Sequence, residues 1–310
     1  MSVTRPLVLA AVLAALALPL DAWAADATAV PWWVWPLGLF VVTFLLGIVA
    51  VLGGVGGGVL FVPIVGGFFP FHLDFVRGTG LMLALSGALS AGPGLLRIGL
   101  ASMRLAMPLA LIGSITSIAG AMAGLALPTN VVQIALGATI LAIAVLMWSA
   151  KKSERPEIGP PDRLAEALRM HGIFHDPAAN EDVKWHVHRT PLGLAMFAGI
   201  GFMAGMFGLG AGWANVPVLN LLMGAPLKVS VSTSGFMLSV IDTSAAWVYI
   251  NRGAVLPMIM VPSILGVMLG AKIGGKMLRT AKAATVRKVV IGLLLVAGAR
   301  AFAKGTGLWN

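Results

Sequence analysis

Two long apolar blocks, 34–149 and 191–305, restrict this chain to very few folds. The whole chain is 59% hydrophobic and 10% charged, with a mean hydropathy of +0.97, whereas soluble domains carry about 25% charged residues. Each block has room for several membrane-spanning helices of about 20 residues. Because hydrocarbon leaves no water to pair with the backbone, the composition predicts an all-α polytopic membrane protein.

A polar stretch at 150–190 separates the blocks, and another apolar segment precedes them. Residues 1–24 contain Arg5, an apolar run and a small-Trp-small tripeptide at 22–24. This pattern is shared by secretory signal peptides and first transmembrane segments, and both interpretations stay open. The stretch 150–190 carries seven Lys or Arg residues and is predicted to be a cytoplasmic polar linker. Its sequence PDRLAEALRM predicts a short interfacial helix, and the remainder a solvated loop.

The two blocks, 34–149 and 191–305, are predicted to be transmembrane repeats of each other. A gapless shift of 154 positions places GGVGGGVLFVP (53–63) on FGLGAGWANVP (207–217) and aligns Thr79 with Thr233. The matches fall on Gly, Pro and Thr, whereas chance similarity between apolar segments would mostly align Leu, Ala and Val. Internal repeats around a central site are typical of secondary transporters.

The first apolar segment of each block, 34–69 or 191–224, is too long for one span. A helix of about 35 residues would measure about 50 Å, against a hydrocarbon core of about 30 Å. A glycine cluster and a proline interrupt each segment, and glycine costs about 1 kcal/mol relative to alanine within a helix. We therefore predict a glycine-broken re-entrant helical hairpin followed by three spans in each repeat. The odd number of crossings gives the repeats inverted topology, with the linker inside and Arg77 in an outer loop.

The two breaks are predicted to face each other and to form an anion-binding site near the membrane midplane. Helix starts expose unpaired N–H groups and the positive end of the helix dipole, and glycine lets a ligand approach that backbone closely. The alternative is that these glycines only permit tight helix packing. The predicted substrate-binding residues are Gly54, Gly56, Gly58, Thr79, Gly208, Gly210, Gly212, Asn215, Ser232 and Thr233.

The hydroxyl residues of that set are expected at the start of a span. There they would either cap the helix or bind an oxyanion. Asp242 lies inside a predicted span, next to Thr243 and Ser244, and its counterpart in the first repeat is Ala88. Ionisable residues within spans are costly and are functional candidates by default. We expect Asp242 to carry a coupling proton; the alternative is a structural pair with a nearby donor.

Several function classes are disfavoured. The chain has no GxxxxGK[ST] loop, so ATP-driven pumping is not expected. It has no cysteine and no histidine within a predicted span, so we predict no enzyme, no metal site and no cofactor. The net charge of +10 is assigned to cytoplasmic loops rather than to nucleic-acid binding. The expected partners are a small anionic substrate and the lipid bilayer, and a homo-oligomer is left open.

The segments GGVGGGVLFVP and GLGAGWANVP, each followed by a GTG or STS triplet (78–80 and 232–234), resemble the TauE/SafE sulfite exporter family. The resemblance covers about 37–304. It implies a multi-pass inner-membrane carrier that exports small sulfur oxyanions or organosulfonates, such as sulfite or sulfoacetate. Ala211 stands where the first repeat has Gly57, so the two halves of the predicted site are unequal. The alternatives are a passive anion channel, a carrier of a neutral or cationic solute and, less favoured, an intramembrane enzyme.

Overall fold

The computed structural model describes six stretches of the chain, which are 31–53, 57–97, 101–149, 159–176, 181–277 and 283–308. The N-terminal segment 1–24 lies outside these described residues, as do Gly54 and Gly56 of the first glycine cluster.

The secondary structure follows the chain in this order: α1 (Val34–Gly53), α2 (Gly57–Phe68), α3 (Leu73–Arg97), α4 (Met103–Ala126), α5 (Thr129–Ser149), α6 (Arg163–Ala167), β1 (His171–Asp176), β2 (Glu181–His186), α7 (Thr190–Phe207), α8 (Gly212–Pro217), a π-helical turn (Val218–Leu222), α9 (Leu227–Asn251), α10 (Pro257–Met277) and α11 (Ala283–Gly305).

The described chain is mostly helical, as its composition predicts. Four helical segments are long and apolar enough to cross a membrane, and two shorter helices are apolar along their length. The four are Met103–Ala126, Thr129–Trp148, Thr190–Phe207 and Pro257–Gly274, and the two are Val34–Ala50 and Gly57–Phe68. The protein is therefore a helical membrane protein, because only helices and closed barrels pair every backbone group within hydrocarbon.

The linker contains more regular structure than its sequence predicts. The expected helix is present but short, at Arg163–Ala167. The segment predicted to be a solvated loop forms an antiparallel β-hairpin, in which His171 pairs with His186 and Asp176 with Glu181. In β2 the buried Trp185 and the half-buried Val183 alternate with exposed polar residues, and this two-residue period is the pattern of a half-buried strand.

Asp162 ties the linker to the start of α7. One carboxylate oxygen accepts a hydrogen bond from the N–H of Ala165 and the other from the N–H of Thr190. Burial alone would raise the pKa of Asp162, but the hydrogen bonds from Thr190 and Ala165 outweigh it and lower the pKa below the ordinary value. The carboxylate is therefore charged at neutral pH and holds the linker against the membrane helix.

Helix boundaries recur at the spacing of the predicted repeat. Helices α3, α4 and α5 begin at Leu73, Met103 and Thr129. Their counterparts α9, α10 and α11 each begin 154 positions later. The packing repeats as well: α1 packs on α10 as α7 packs on α4, while α3 packs on α9 and α5 on α11.

Glycines permit close contacts between helices. Gly120 of α4 and Gly201 of α7 have no room for a side chain, because Phe202 and Gly113 of the opposite helix lie against them. Further along, Gly124 packs on Met206. Residues later in α4 contact residues later in α7, so the two helices run in the same direction.

Helices α1 and α10 pack in the equivalent way. Gly266 lies against Thr43, and Gly274 lies against Ile48. These two helices therefore also run in the same direction.

Each broken segment ends beside its own beginning. In the first repeat, the ring of Trp35 contacts Phe69 and Phe71, with ring centroids 6.3 and 5.9 Å apart. In the second repeat, the N–H of His188 donates to the carbonyl of Met223 at 3.0 Å. In both segments the last residues thus lie close to the first.

Gly201→Ala is expected to lower the melting temperature of the purified protein. A Cβ atom at Gly201 would lie 2.7 Å from the Cα of Gly113, and overpacking of this kind costs about 1–3 kcal/mol. Gly199→Ala, in the same helix, is the matched control because nothing lies within 4 Å of its Cβ position. Equal melting temperatures for the two variants would contradict the close packing of α4 and α7.

Candidate functional site

The second repeat is broken between α7 and α8. Helix α7 ends at Phe207, and Gly208 follows with φ +69°, its N–H bonded to the carbonyl of Ala204 at 3.0 Å. Gly210 has φ +72°. Both values lie in the left-handed region, where glycine is the only residue without steric cost. The glycine cluster therefore ends one helix and lets the next begin at Gly212 in a new direction.

The second break packs directly against the first repeat. A Cβ atom at Gly58, near the start of α2, would lie 2.7 Å from the carbonyl oxygen of Leu209 and 2.9 Å from that of Gly80. The Cβ position of Gly208 lies against the backbone of Arg77. Gly58 and Gly208 thus permit tight backbone packing. At these two positions the structure fits the packing role of glycine, which was the alternative to direct contact with a ligand.

The break lies within the depth of the helices around it. The Cβ position of Gly210 is 2.7 Å from the Cβ of Ala84, close to the middle of the 25-residue helix α3. Gly212 is less confined, since its Cβ position meets only the side chain of Leu238 at 3.2 Å.

Asp242 faces this break from α9. Its side chain is fully buried, and its Oδ2 lies 3.0 Å from the Cβ position of Gly210. The N–H of Ala211 is close enough to act on the carboxyl group electrostatically. Neither carboxyl oxygen, however, makes a hydrogen bond of normal geometry to any described residue. The structural partner weighed in the sequence analysis is therefore not seen within the described part of the chain.

The two candidate threonines lie inside their helices rather than at the helix starts. Thr79 is six residues into α3, and Thr233 is six residues into α9, so neither caps its own helix. The Thr233 hydroxyl accepts a hydrogen bond from the N–H of Ser102 at 3.1 Å. The Thr79 hydroxyl is fully buried and has no partner among the described residues. Ser232, the third hydroxyl of the predicted set, is buried beside Thr233.

Helix α8 contributes further buried polar atoms. Asn215 is fully buried, and neither its amide oxygen nor its amide nitrogen has a partner in the described chain. The indole N–H of Trp213 is buried and equally unpaired within the same residues. Buried polar groups are normally hydrogen-bonded, so this concentration of unpaired groups beside the break indicates a place for water or a ligand.

Arg77 also differs from its predicted position. It was expected in an outer loop, but it lies in the second turn of α3 and is 1% exposed. Its guanidinium donates to the carbonyls of Met206, at 2.8 Å, and Gly124, at 3.1 Å, and pairs with Asp74. Those carbonyls lie in the last turns of α7 and α4, where helix carbonyls lack partners within their own helix. The free carbonyl ends of these helices thus bind both terminal nitrogens of the buried guanidinium.

Helix α2 ends against two further cations, both from α11. Arg300 Nε donates to the carbonyl of Gly67 at 2.8 Å, and Lys304 donates to that of Gly66 at 3.4 Å. The Arg300 guanidinium also stacks on Phe68, 4.1 Å from the ring centroid. Positive charge near a helix C-terminus interacts favourably with the negative end of the helix dipole. The two cations therefore stabilise the carbonyl end of α2.

Comparison with known proteins gives a consistent result. A family model described as "Sulfite exporter TauE/SafE" matches residues 39–301. "Probable membrane transporter protein ORF9" of Sinorhizobium sp is 26% identical over 263 residues, covering 84% of this chain and 88% of that protein. "Probable membrane transporter protein YunE" of Bacillus subtilis is 26% identical over 118 residues, which are 38% of this chain and 43% of that protein. No solved structure matches.

Asn215→Leu is expected to abolish solute transport while leaving the melting temperature unchanged or higher. Replacing an unpaired buried amide by an apolar group of similar size removes a desolvation cost of about 1–3 kcal/mol. Asn251→Leu, at an exposed position in α9, is the control and should leave transport intact. A large loss of stability in Asn215→Leu would indicate that the amide has a structural role instead.

Proposed function

The chain belongs to the sulfite exporter TauE/SafE family of membrane transporters, and from that membership we propose that it is a secondary carrier that exports a small anion. Sulfite is the substrate that the family description names, and an organosulfonate is the related anion that the sequence resemblance implies. Transport would proceed by rocking of one repeat against the other around a central site. The chain would lie in the inner membrane, with 150–190 on the cytoplasmic side.

Helix directions support inverted repeats. Gly78, near the start of α3, packs against Ala254, just before α10, so α3 and α10 begin at one face. Helix α1 runs with α10 and begins at that face too. Helix α3 then crosses to the opposite face, where α4 begins and where α7, running with α4, also begins. The two broken segments thus start from opposite sides, and each returns toward its own start, as re-entrant hairpins in inverted topology would.

The observation that carries the proposal is the set of unpaired polar atoms around the second break. Asp242, Asn215 and Thr79 are fully buried, and their side chains lack partners in the described stretches of the chain. Burying each such group lowers the stability of the folded protein unless a ligand or a water molecule forms a hydrogen bond with it. The amide of Asn215 and the hydroxyl of Thr79 can donate to an oxyanion, as the predicted site requires.

The start of α2 is the helix end that favours an anion. Its carbonyl end faces Arg300 and Lys304, while Gly58 at its start packs on the backbone of Leu209 in the second break. At α8 the carboxyl group of Asp242 already lies beside the helix start, and its ionised form would repel an anion there. We therefore assign the anion to the start of α2 and the proton to Asp242.

Sulfite counterflow in proteoliposomes tests this function. Liposomes loaded with unlabelled sulfite and containing the protein should accumulate labelled sulfite transiently, because a carrier exchanges solute across the membrane. Empty liposomes and the Asn215→Leu variant should not. Uptake of labelled sulfite that does not depend on sulfite inside the liposomes would favour a passive anion channel. Response to a cation alone would favour a cation carrier, for which the buried carboxyl of Asp242 is the specific argument.

Asp242→Asn is expected to remove the dependence of net transport on the proton gradient while preserving counterflow. An amide keeps the volume of the carboxyl group but does not exchange a proton near neutral pH. Asp182→Asn, at an exposed linker position, should leave both activities unchanged. Gradient-driven transport that survives in Asp242→Asn would exclude the coupling role.

A further inference from the structure

We propose that Arg77 is an anion-binding residue at the entrance to the second break, where Asp74 holds the place of the transported anion. The inference rests on the proposed function and adds to it an approach site on one side of the membrane. The two residues lie one turn apart on α3 and form an ion pair. They lie on the side of the membrane where α3 and α10 begin.

The guanidinium is held rigidly by three separate elements. Nη1 donates to the carbonyl of Met206 at the end of α7, and Nη2 donates to that of Gly124 at the end of α4. The ring of Tyr249 from α9 lies 5.8 Å from the guanidinium carbon, and its hydroxyl donates to the same Met206 carbonyl at 3.3 Å. A cation fixed in this way presents its remaining N–H groups in one direction, as a binding site requires.

Asp74 accepts a hydrogen bond from only one nitrogen of the guanidinium group. Its Oδ1 accepts from Nη2, whereas Nε of Arg77 is buried and unpaired among the described residues. The edge formed by Nη2 and Nε is one that arginine offers to two oxygens of one oxyanion in a forked pair. A sulfonate or sulfite ion at this edge would satisfy the donor that Asp74 leaves free.

Asp74 can be exchanged because its side chain is partly exposed. Its side chain is 27% exposed and that of Arg77 only 2%, while His72, 3.4 Å from Asp74, is 55% exposed. The three side chains thus lead from the aqueous face to the buried guanidinium. An anion arriving from water can replace the carboxylate at Arg77 while Asp74 turns toward solvent and His72.

The position of Arg77 connects this site with the second break. Its backbone lies directly against Gly208, the first residue after α7. The equivalent position in the second apolar block is Val231, which is apolar and exposed. The proposed site therefore has no counterpart at this position of the described second block.

Thermal stabilisation by methanesulfonate tests the proposal with the full chain in detergent. An anion that binds the folded state raises the melting temperature by mass action. Asp74→Ala removes the competing carboxylate, so half-maximal stabilisation should require about tenfold less methanesulfonate than in wild type, the scale of a lost charged hydrogen bond. Chloride lacks the two oxygens that match the forked edge of a guanidinium, so Asp74→Ala should shift its effect much less than that of methanesulfonate.

Three variants make the result decisive. Asp182→Ala removes an exposed acid elsewhere and should respond as wild type does. Arg77→Met in the Asp74→Ala background should abolish the shift, and if that variant does not fold, Arg77→Lys should abolish it too because lysine has no fork. A response of Asp74→Ala at wild-type concentrations, or one that survives loss of Arg77, overturns the inference.

The proposed function and this inference fail separately. Thermal stabilisation measures binding and not transport. An Arg77-dependent shift without sulfite counterflow would therefore contradict the carrier function and support the anion site. Counterflow by wild type with no shift in Asp74→Ala would sink the anion site and leave the carrier function.

Discussion

A helix that stops inside a membrane must find partners for the backbone groups at its ends, because hydrocarbon supplies none. At the second break of the protein, the end of α7 has such partners. The carbonyls at the end of α7 are bound by Arg77 and Tyr249, and the start of α8 lies beside Asp242. All three side chains come from helices that pack around the break. The break is therefore a product of the whole bundle, and α7 and α8 could not maintain it alone.

Glycine serves two purposes in this arrangement. At Gly208 and Gly210 it supplies the left-handed backbone that redirects the chain. At Gly120 and Gly201 it removes side-chain bulk so that helices of different repeats touch backbone to backbone. Tight packing through small residues is the main source of helix association in lipid, where the hydrophobic effect does not act between helices. The broken segments are in this way bound into a framework drawn from both repeats.

The sequence predicts the helices and the spacing of their boundaries well, because these depend on apolar length and on Gly and Pro, whose backbone effects are local. Arg77 was misassigned because its partners, Gly124 and Met206, are remote in sequence. Charge counting places such a residue at the nearest aqueous surface and does not detect the helix ends that satisfy it. Thr79 was placed at a helix start for a related reason: α3 begins at Leu73, before the Gly-Thr-Gly triplet. The β-hairpin was missed because its alternating pattern covers only a few residues.

The hydrogen bond from Ser102 to Thr233 has a consequence for energetics. It occupies the hydroxyl of Thr233, whereas the hydroxyl of Thr79 has no partner among the described residues. A water molecule or ligand that binds the Thr79 hydroxyl would relieve the cost of an unpaired buried group, which is about 1–3 kcal/mol. At Thr233 the bond from Ser102 already meets that cost, so the two threonines differ in what binding to them can contribute.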